Sequence, residues 1–301
     1  MTDPRTSPSD DLLEDLHKLT RRLLRIVPAV EPVDWNASIA AQWRAHGLGH
    51  AFRAAETQTN VTLEDLQGID LQKKRLVANT RQFLAGLPAN NALLWGARGT
   101  GKSSLIHALT NRYAGDGLRL VEVSRSDLQG IAELGAALAS EPYRFVVFCD
   151  DLSFEADDAG YKALKSALEG SLFRNASNML IYATSNRRHL LPEYMSDNRD
   201  ARHVEGELHE SEAVEEKVSL SDRFGLWLSF YPFKQAAYLD VARHWTRRLA
   251  AEHGLVLDGE AAVNAEFDRK AAAWALARGG RSGRTAQHFA RDWVGRNLLD
   301  G

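Results

Sequence analysis

The sequence predicts an α/β protein: a parallel five-stranded sheet flanked by helices, with an N-terminal helical region before it and a small helical subdomain after it. Three observations predict this. From about residue 64, short apolar segments alternate with helical periodicities, the pattern of parallel strands joined by crossover helices. One segment, Phe145–Cys149, is apolar at every position, as a strand covered on both faces must be. After Pro232 the strands stop, and residues 234–254, 259–278 and 284–299 all read as helices.

Taken in order, residues 1–9 form a polar lead-in, and Ser9 or Asp10 caps a helix carrying Leu12, Leu13, Leu16, Leu19, Leu23 and Leu24 until Pro28 ends it. Its opposite face holds Lys18, Arg21, Arg22 and Arg25. A helix packed on its own chain with a solvated basic face explains this pattern more simply than a membrane-surface or partner-docking helix. Trp35, Ile39 and Trp43 make a second short apolar pattern, and His46 and His50 beyond it are expected to be surface or packing histidines. The strands are Ala92–Trp95, Leu118–Val123, Phe145–Cys149, Met179–Thr184 and Leu226–Phe230. Between them lie a helix from Lys102 to about Tyr113, one capped by Ser126 or Asp127, and one through Leu164 and Leu168. The expected division is residues 1–63, 64–232 and 233–301.

Composition bounds the function. Of 301 residues 44% are apolar and 26% charged, ordinary for a chain with a real core. A net charge of −3 supplies no global field toward nucleic acid or anionic lipid. The single cysteine, Cys149, excludes disulfide scaffolds and cysteine-rich zinc sites. With no apolar leader and no span long enough for a bilayer, the chain is expected to be cytoplasmic, without membrane insertion.

The strongest chemical signal is Gly96-Ala97-Arg98-Gly99-Thr100-Gly101-Lys102-Ser103, a complete G-x-x-x-x-G-K-S loop between an apolar strand and a helix. The glycines let successive N–H groups point into one anion cradle, and the helix start adds its dipole. Lys102 is expected on the β- and γ-phosphates of a nucleotide and Ser103 on Mg²⁺, with Ser104 beside it at the helix start. At the end of a buried strand, Asp150 and Asp151 are candidates to hold Mg²⁺ and to polarise the attacking water, respectively. An Asp-Asp pair alone also fits a helix cap or a turn, so its position after this strand decides the reading. Asn186, after the Met179–Thr184 strand, is the candidate γ-phosphate sensor.

Over about residues 64–301 these features resemble the AAA+ ATPases, P-loop NTPases with a C-terminal helical lid. Ser221-Asp222-Arg223-Phe224-Gly225 is similar to the segment that carries their arginine finger, and Gly283-Arg284-Thr285 to the start of the lid helix that carries a second sensor. The strings at 183–190, 220–230 and 279–286 look like a bacterial family of predicted AAA+ ATPases of unassigned role. The resemblance implies ATP and Mg²⁺ as ligands and a homo-oligomer, often a ring. Arg223 would then reach the γ-phosphate of a neighbouring subunit and Arg284 the phosphates of its own, with Arg281 as rival. Gly68 and Ile69 resemble the segment that walls the adenine.

One departure matters: many AAA+ proteins carry Asp-Glu where this chain has Asp150-Asp151. The shorter acid favours slow, switch-like turnover, and Glu155 lies beyond the strand end. The stretch Arg125–Pro142 holds no aromatic residue, which disfavours threading of polypeptide through a pore; Phe154 and Tyr161 are expected in the core. Arg187, Arg188 and His189 form a small basic cluster, but Glu205–Glu216 in the same connection would repel a nucleic-acid backbone. The leading expectation is an oligomeric ATPase that remodels or loads an unknown protein partner. The alternatives are an ATP-gated switch with little turnover and, more weakly, a DNA-associated loader.

Overall fold

The computed structural model describes residues 12–13, 15–18, 32–47, 49–55, 60–154, 158–169, 177–188, 190, 202–204, 207–209, 220–259 and 262–300, with 202–204 and 207–209 described by backbone alone. The strands in chain order are β1 (Ala40–His46), β2 (Gly49–Ala55), β3 (Ala92–Gly96), β4 (Leu118–Val123), β5 (Arg144–Cys149), β6 (Met179–Ser185), β7 (Arg202–Val204), β8 (Glu207–His209) and β9 (Leu226–Phe230). The α-helices are α1 (Asp70–Leu84), α2 (Lys102–Tyr113), α3 (Ile131–Leu138), α4 (Ala159–Leu168), α5 (Gln235–Glu252), α6 (Ala265–Ala277) and α7 (Gly283–Asp300).

The main sheet runs β2-β1-β4-β5-β6-β3-β9 and is parallel except for the β1–β2 hairpin. The five expected strands are present, but the sheet has seven among the described residues. Residues 40–55, expected within a helical region, form the two additional strands and extend the β4 edge. Alternation explains it: Ala40 faces one core while Ala41 and Trp43 face the other. Trp35 then packs edge-on against Phe52 and Phe145, with ring centres 5.6 and 5.0 Å apart. β7 and β8 pair as a separate antiparallel ladder.

Two apolar layers cover the sheet. On one face α1 and α2 meet the strands through Leu76, Phe83, Leu105 and Leu109, and the same core continues into α5–α7 through Tyr238, Phe267 and Phe289. On the other, Leu128, Ile131, Leu134 and Leu164 pack on Val121, Val147 and Ile181. Burial on both sides is the reason β5 is apolar from Phe145 to Cys149, while β4 admits only Arg119 and Glu122 among its apolar residues.

Some local expectations are corrected. Asp127 does not cap a helix directly: residues Arg125–Gly130 form a 3-10 segment, and Asp127 accepts from the Ser124 hydroxyl and from Ala45 N–H (3.0 Å). Residues 12–13 and 15–18 are helical, but Leu12, Leu13 and Leu16 are each more than half exposed, against the expectation of a packed helix. Leu19, Leu23, Leu24, Arg21, Arg22 and Arg25 lie outside the described residues, as do Glu155, His189 and the side chains of Glu205–Glu216. His50 is a packing histidine, stacked on Trp43 with centres 5.6 Å apart and bonded to Glu133 at 3.2 Å. Phe154 and Tyr161 are buried, edge to face at 5.8 Å. No helix among the described residues is long and apolar enough to cross a membrane.

Candidate nucleotide-binding site

β3 lies between β6 and β9, so the loop after it opens where the carboxyl ends of three strands converge. At Gly96 the chain turns off the sheet with φ 126°, and a Cβ there would stand 2.0 Å from the Phe230 carbonyl oxygen. Only glycine fits. Ala97 N–H donates to that same carbonyl at 2.9 Å. Gly101, left-handed with φ 98°, precedes α2, and no side chain caps the helix. The first-turn amides of α2 are therefore left for a ligand, and an anion is the ligand their dipole favours.

Lys102 is buried and donates to the carbonyls of Gly96 and Ala97, both at 2.8 Å, and to Asn186 Oδ1 at 3.3 Å. Burial lowers the pKa of its ammonium; Asp151 and Asp150 oppose the shift, while Arg284 and Arg98 reinforce it. Ser103 Oγ donates to Asp150 Oδ1 at 2.7 Å, and the Thr184 hydroxyl donates to that same oxygen. Asp151 has φ 49°, a left-handed conformation found at no other described non-glycine residue. Its carboxylate accepts from Asn186 Nδ2. Asn186 thus bridges Lys102 and Asp151 through the two ends of one amide.

These groups line one end of a cavity of about 450 Å³, a size suited to a small ligand. Arg98, Gly99, Thr100, Gly101, Ser104 and Arg284 complete the polar end. Leu66, Ile69, Phe233, Val241 and Trp245 make the other end apolar. Gly68 stands behind that wall, where a Cβ would come 3.4 Å from Phe233. Ser103 and Asp150 are hard oxygen donors side by side, the small set that Mg²⁺ takes when phosphate oxygens and water complete its shell. The residues present fit that ion.

The structure separates the two arginines of the last helix start. Arg284 lines the cavity, and its N–H donates to the Gly99 carbonyl at 3.1 Å. Arg281 does not line it; its carbonyl accepts Phe233 N–H at 2.9 Å. Arg223 also lies off the cavity wall, with its guanidinium on the Glu169 carboxylate beyond α4. Arg188 lies over the Trp95 ring, 5.7 Å from its centre.

Sequence reasoning missed the residues that tie the apolar end together. Asp65 accepts from Thr62 N–H (2.7 Å) and Thr62 Oγ1 (2.9 Å), bonds His244 Nε2 (2.9 Å) and pairs with Arg248. Gln67 bonds the other nitrogen of His244 at 3.0 Å. Burial works against the Asp65 carboxylate, but these hydrogen bonds outweigh it and hold its pKa below the usual value. The only local signal was the Thr62–Asp65 spacing; His244 and Arg248 are too distant in sequence to suggest themselves.

A family model described as protein of unknown function (DUF815) matches residues 36–297. The chain belongs to this family. The DUF815 match covers both the sheet and the helices after it, and the architecture is that expected of an AAA+ superfamily member: a P-loop, an acidic strand end and a C-terminal helical lid. No curated protein matches the sequence. Among solved structures, the Thermotoga maritima RuvB Holliday junction branch migration motor is 16% identical, with TM-score 0.42, over 81% of this chain and 73% of its own. PCH-2 of C. elegans is 16% identical, with TM-score 0.42, over 76% and 69%. The ORC1 protein of Aeropyrum pernix in complex with DNA is 16% identical, with TM-score 0.47, over 79% and 69%. Likeness at this level bears no functional weight.

Proposed function

We propose that the chain is a cytoplasmic Mg-ATP-dependent ATPase that works as an oligomer and remodels or loads a macromolecular partner. The observation that carries this is the convergence of Lys102, Ser103, Asp150, Asp151 and Asn186, from three separate segments, on the polar end of one cavity. In this reading Lys102 exchanges the Gly96 and Ala97 carbonyls for phosphate oxygens. Ser103 and Asp150 would hold Mg²⁺, which would supply neutralisation of phosphate charge. Asp151 orients a water on the γ-phosphorus while Asn186 positions that acid and reads the γ-phosphate. The new bond joins water oxygen to phosphorus, the bond to the bridging oxygen breaks, and ADP and phosphate leave. Arg284 contacts phosphate from the lid. Arg223, held by Glu169 within one chain, stabilises transition-state charge on a neighbour.

The test is ATP turnover against protein concentration for wild type, Lys102→Ala, Arg223→Ala and a mixture of the two variants. Turnover that rises with concentration, vanishes in each variant and partly returns on mixing supports a shared active site. Tight ATP binding with no concentration-dependent turnover would sink the oligomeric ATPase.

A second reading, a slow ATP-gated switch, is favoured by one observation. One oxygen of the Asp151 carboxylate is already taken by the Asn186 amide, which leaves a single oxygen on a short side chain to orient water. Turnover below about one per minute beside micromolar affinity would favour this reading, given ordinary enzyme turnover of about 10 per second.

A further inference from the structure

The cavity carries polar side chains that the proposed phosphate chemistry does not use. Asp65, Gln67 and Gln287 all line it. Asp65 is saturated: it is 5% exposed and takes hydrogen bonds from Thr62, His244 and Arg248. Its ionised carboxylate can only accept, so the facing His244 Nε2 must donate. The other ring nitrogen, Nδ1, lies 3.0 Å from Gln67 Nε2. Nδ1 of a neutral imidazole can only accept here, so Gln67 donates to it through Nε2. In that tautomer the chain of bonds runs from Gln67 through His244 to Asp65.

That order has a consequence for the atom left over. A carboxamide is planar, so fixing Nε2 fixes Oε1, and the amide cannot flip without setting two acceptors against each other. Among the described residues, Oε1 of Gln67 has no donor. It is an acceptor on a cavity wall otherwise made by Leu66, Ile69 and Trp245. At the apolar end, away from Lys102 and Ser103, a bound purine nucleotide places its base.

Resting on the nucleotide reading above, we infer that Gln67 is a specificity-determining residue that selects adenine over guanine. Its Oε1, oriented by the His244–Asp65 pair, receives the 6-amino group of adenine. Guanine presents a carbonyl there, so two acceptors would meet beside apolar side chains, the kind of mismatch that discriminates strongly. His244 and Asp65 are positioning residues. They act on the base only through the amide.

The experiment is titration calorimetry of Mg-ATP and Mg-GTP with the full chain, using wild type, Gln67→Leu, His244→Leu and Gln287→Leu. Wild type prefers ATP by at least about tenfold, the effect of one hydrogen bond made or mismatched. Gln67→Leu weakens ATP binding and brings the ratio to within about threefold. His244→Leu frees the amide to turn its Nε2 toward the base, so GTP binding improves, which mere loosening of the fold would not produce. An unchanged ratio in Gln67→Leu, with ATP still bound, overturns the inference alone. So does a ratio that collapses in Gln287→Leu instead. Wild type that binds neither nucleotide overturns the proposed function together with this inference.

Discussion

Thr184 donates its hydroxyl hydrogen to Asp150 and receives the backbone N–H of Asp151 at 2.8 Å, so one side chain at the end of β6 fixes both acids at the end of β5. Thr184→Val keeps the volume and removes both bonds. The expected outcome is a weaker demand-matched fit for Mg²⁺: its apparent affinity in the ATP complex falls about tenfold. ATP binding without metal changes little. A Mg²⁺ titration of fluorescent-nucleotide binding, run against a chelator control, measures both. The variant also loses about 1–3 kcal/mol of stability, because Asp151 N–H is left without its partner.

Lys102 gives a pH signature in the nucleotide-free protein. Its pKa is lowered in the folded state, chiefly by burial, so between that value and about 10.4 the unfolded chain binds more protons. Stability from this group therefore rises with pH across that window. Lys102→Met removes the rise. Thermal melts of both proteins from pH 7 to 10 check it: the difference in melting temperature moves toward wild type as pH increases. The same variant abolishes the melting shift produced by ATP.

Asp65 carries the same sign, in the acid range. Its pKa is held below the unfolded value of about 3.9, so its contribution is complete above that pH and is lost as pH falls through the folded pKa. Asp65→Asn destabilises the neutral protein by about 1.5–3 kcal/mol, the range for hydrogen bonds to a charged group. Between pH 5 and 3 it loses less stability than wild type. Urea unfolding at several pH values separates the two.

Cys149 reports unfolding. Burial, with Asp150 beside it, pushes its thiol pKa up to about 12, and the side chain is fully buried. The folded protein is expected to resist a disulfide reagent at pH 8 and to release one equivalent in denaturant. The labelling rate then follows the opening of β5. Rapid labelling of the native protein would contradict its placement in the core.

The glycine loop was legible because it is local: the glycines at 96, 99 and 101 specify a backbone path within eight residues. The acids were legible for a related reason, since a run of apolar residues followed by aspartate marks the end of a buried strand. The β1–β2 hairpin was not. Residues 40–55 are rich in alanine and arginine and contain no valine, isoleucine or threonine, so strand propensity is weak. The open β4 edge and the burial of Trp43 override it. The Gln67–His244–Asp65 cluster was invisible for a different reason, because it exists only once α5 packs beside the segment before α1. Arg284 stood ahead of its rival Arg281 only by resemblance, and the cavity wall, which includes Arg284 and not Arg281, separates them in space.

The C-terminal helices meet the rest of the chain at both ends of the cavity: Arg284 N–H bonds the Gly99 carbonyl, while His244 and Arg248 bond Asp65, Gln67 and Asn60. Gly99, Asp65, Gln67 and Arg284 all line the cavity as well, so the seam and the cavity wall are made of the same residues. Whatever fills the cavity therefore bears on both sides of the seam at once, as mortar bears on two courses of brick.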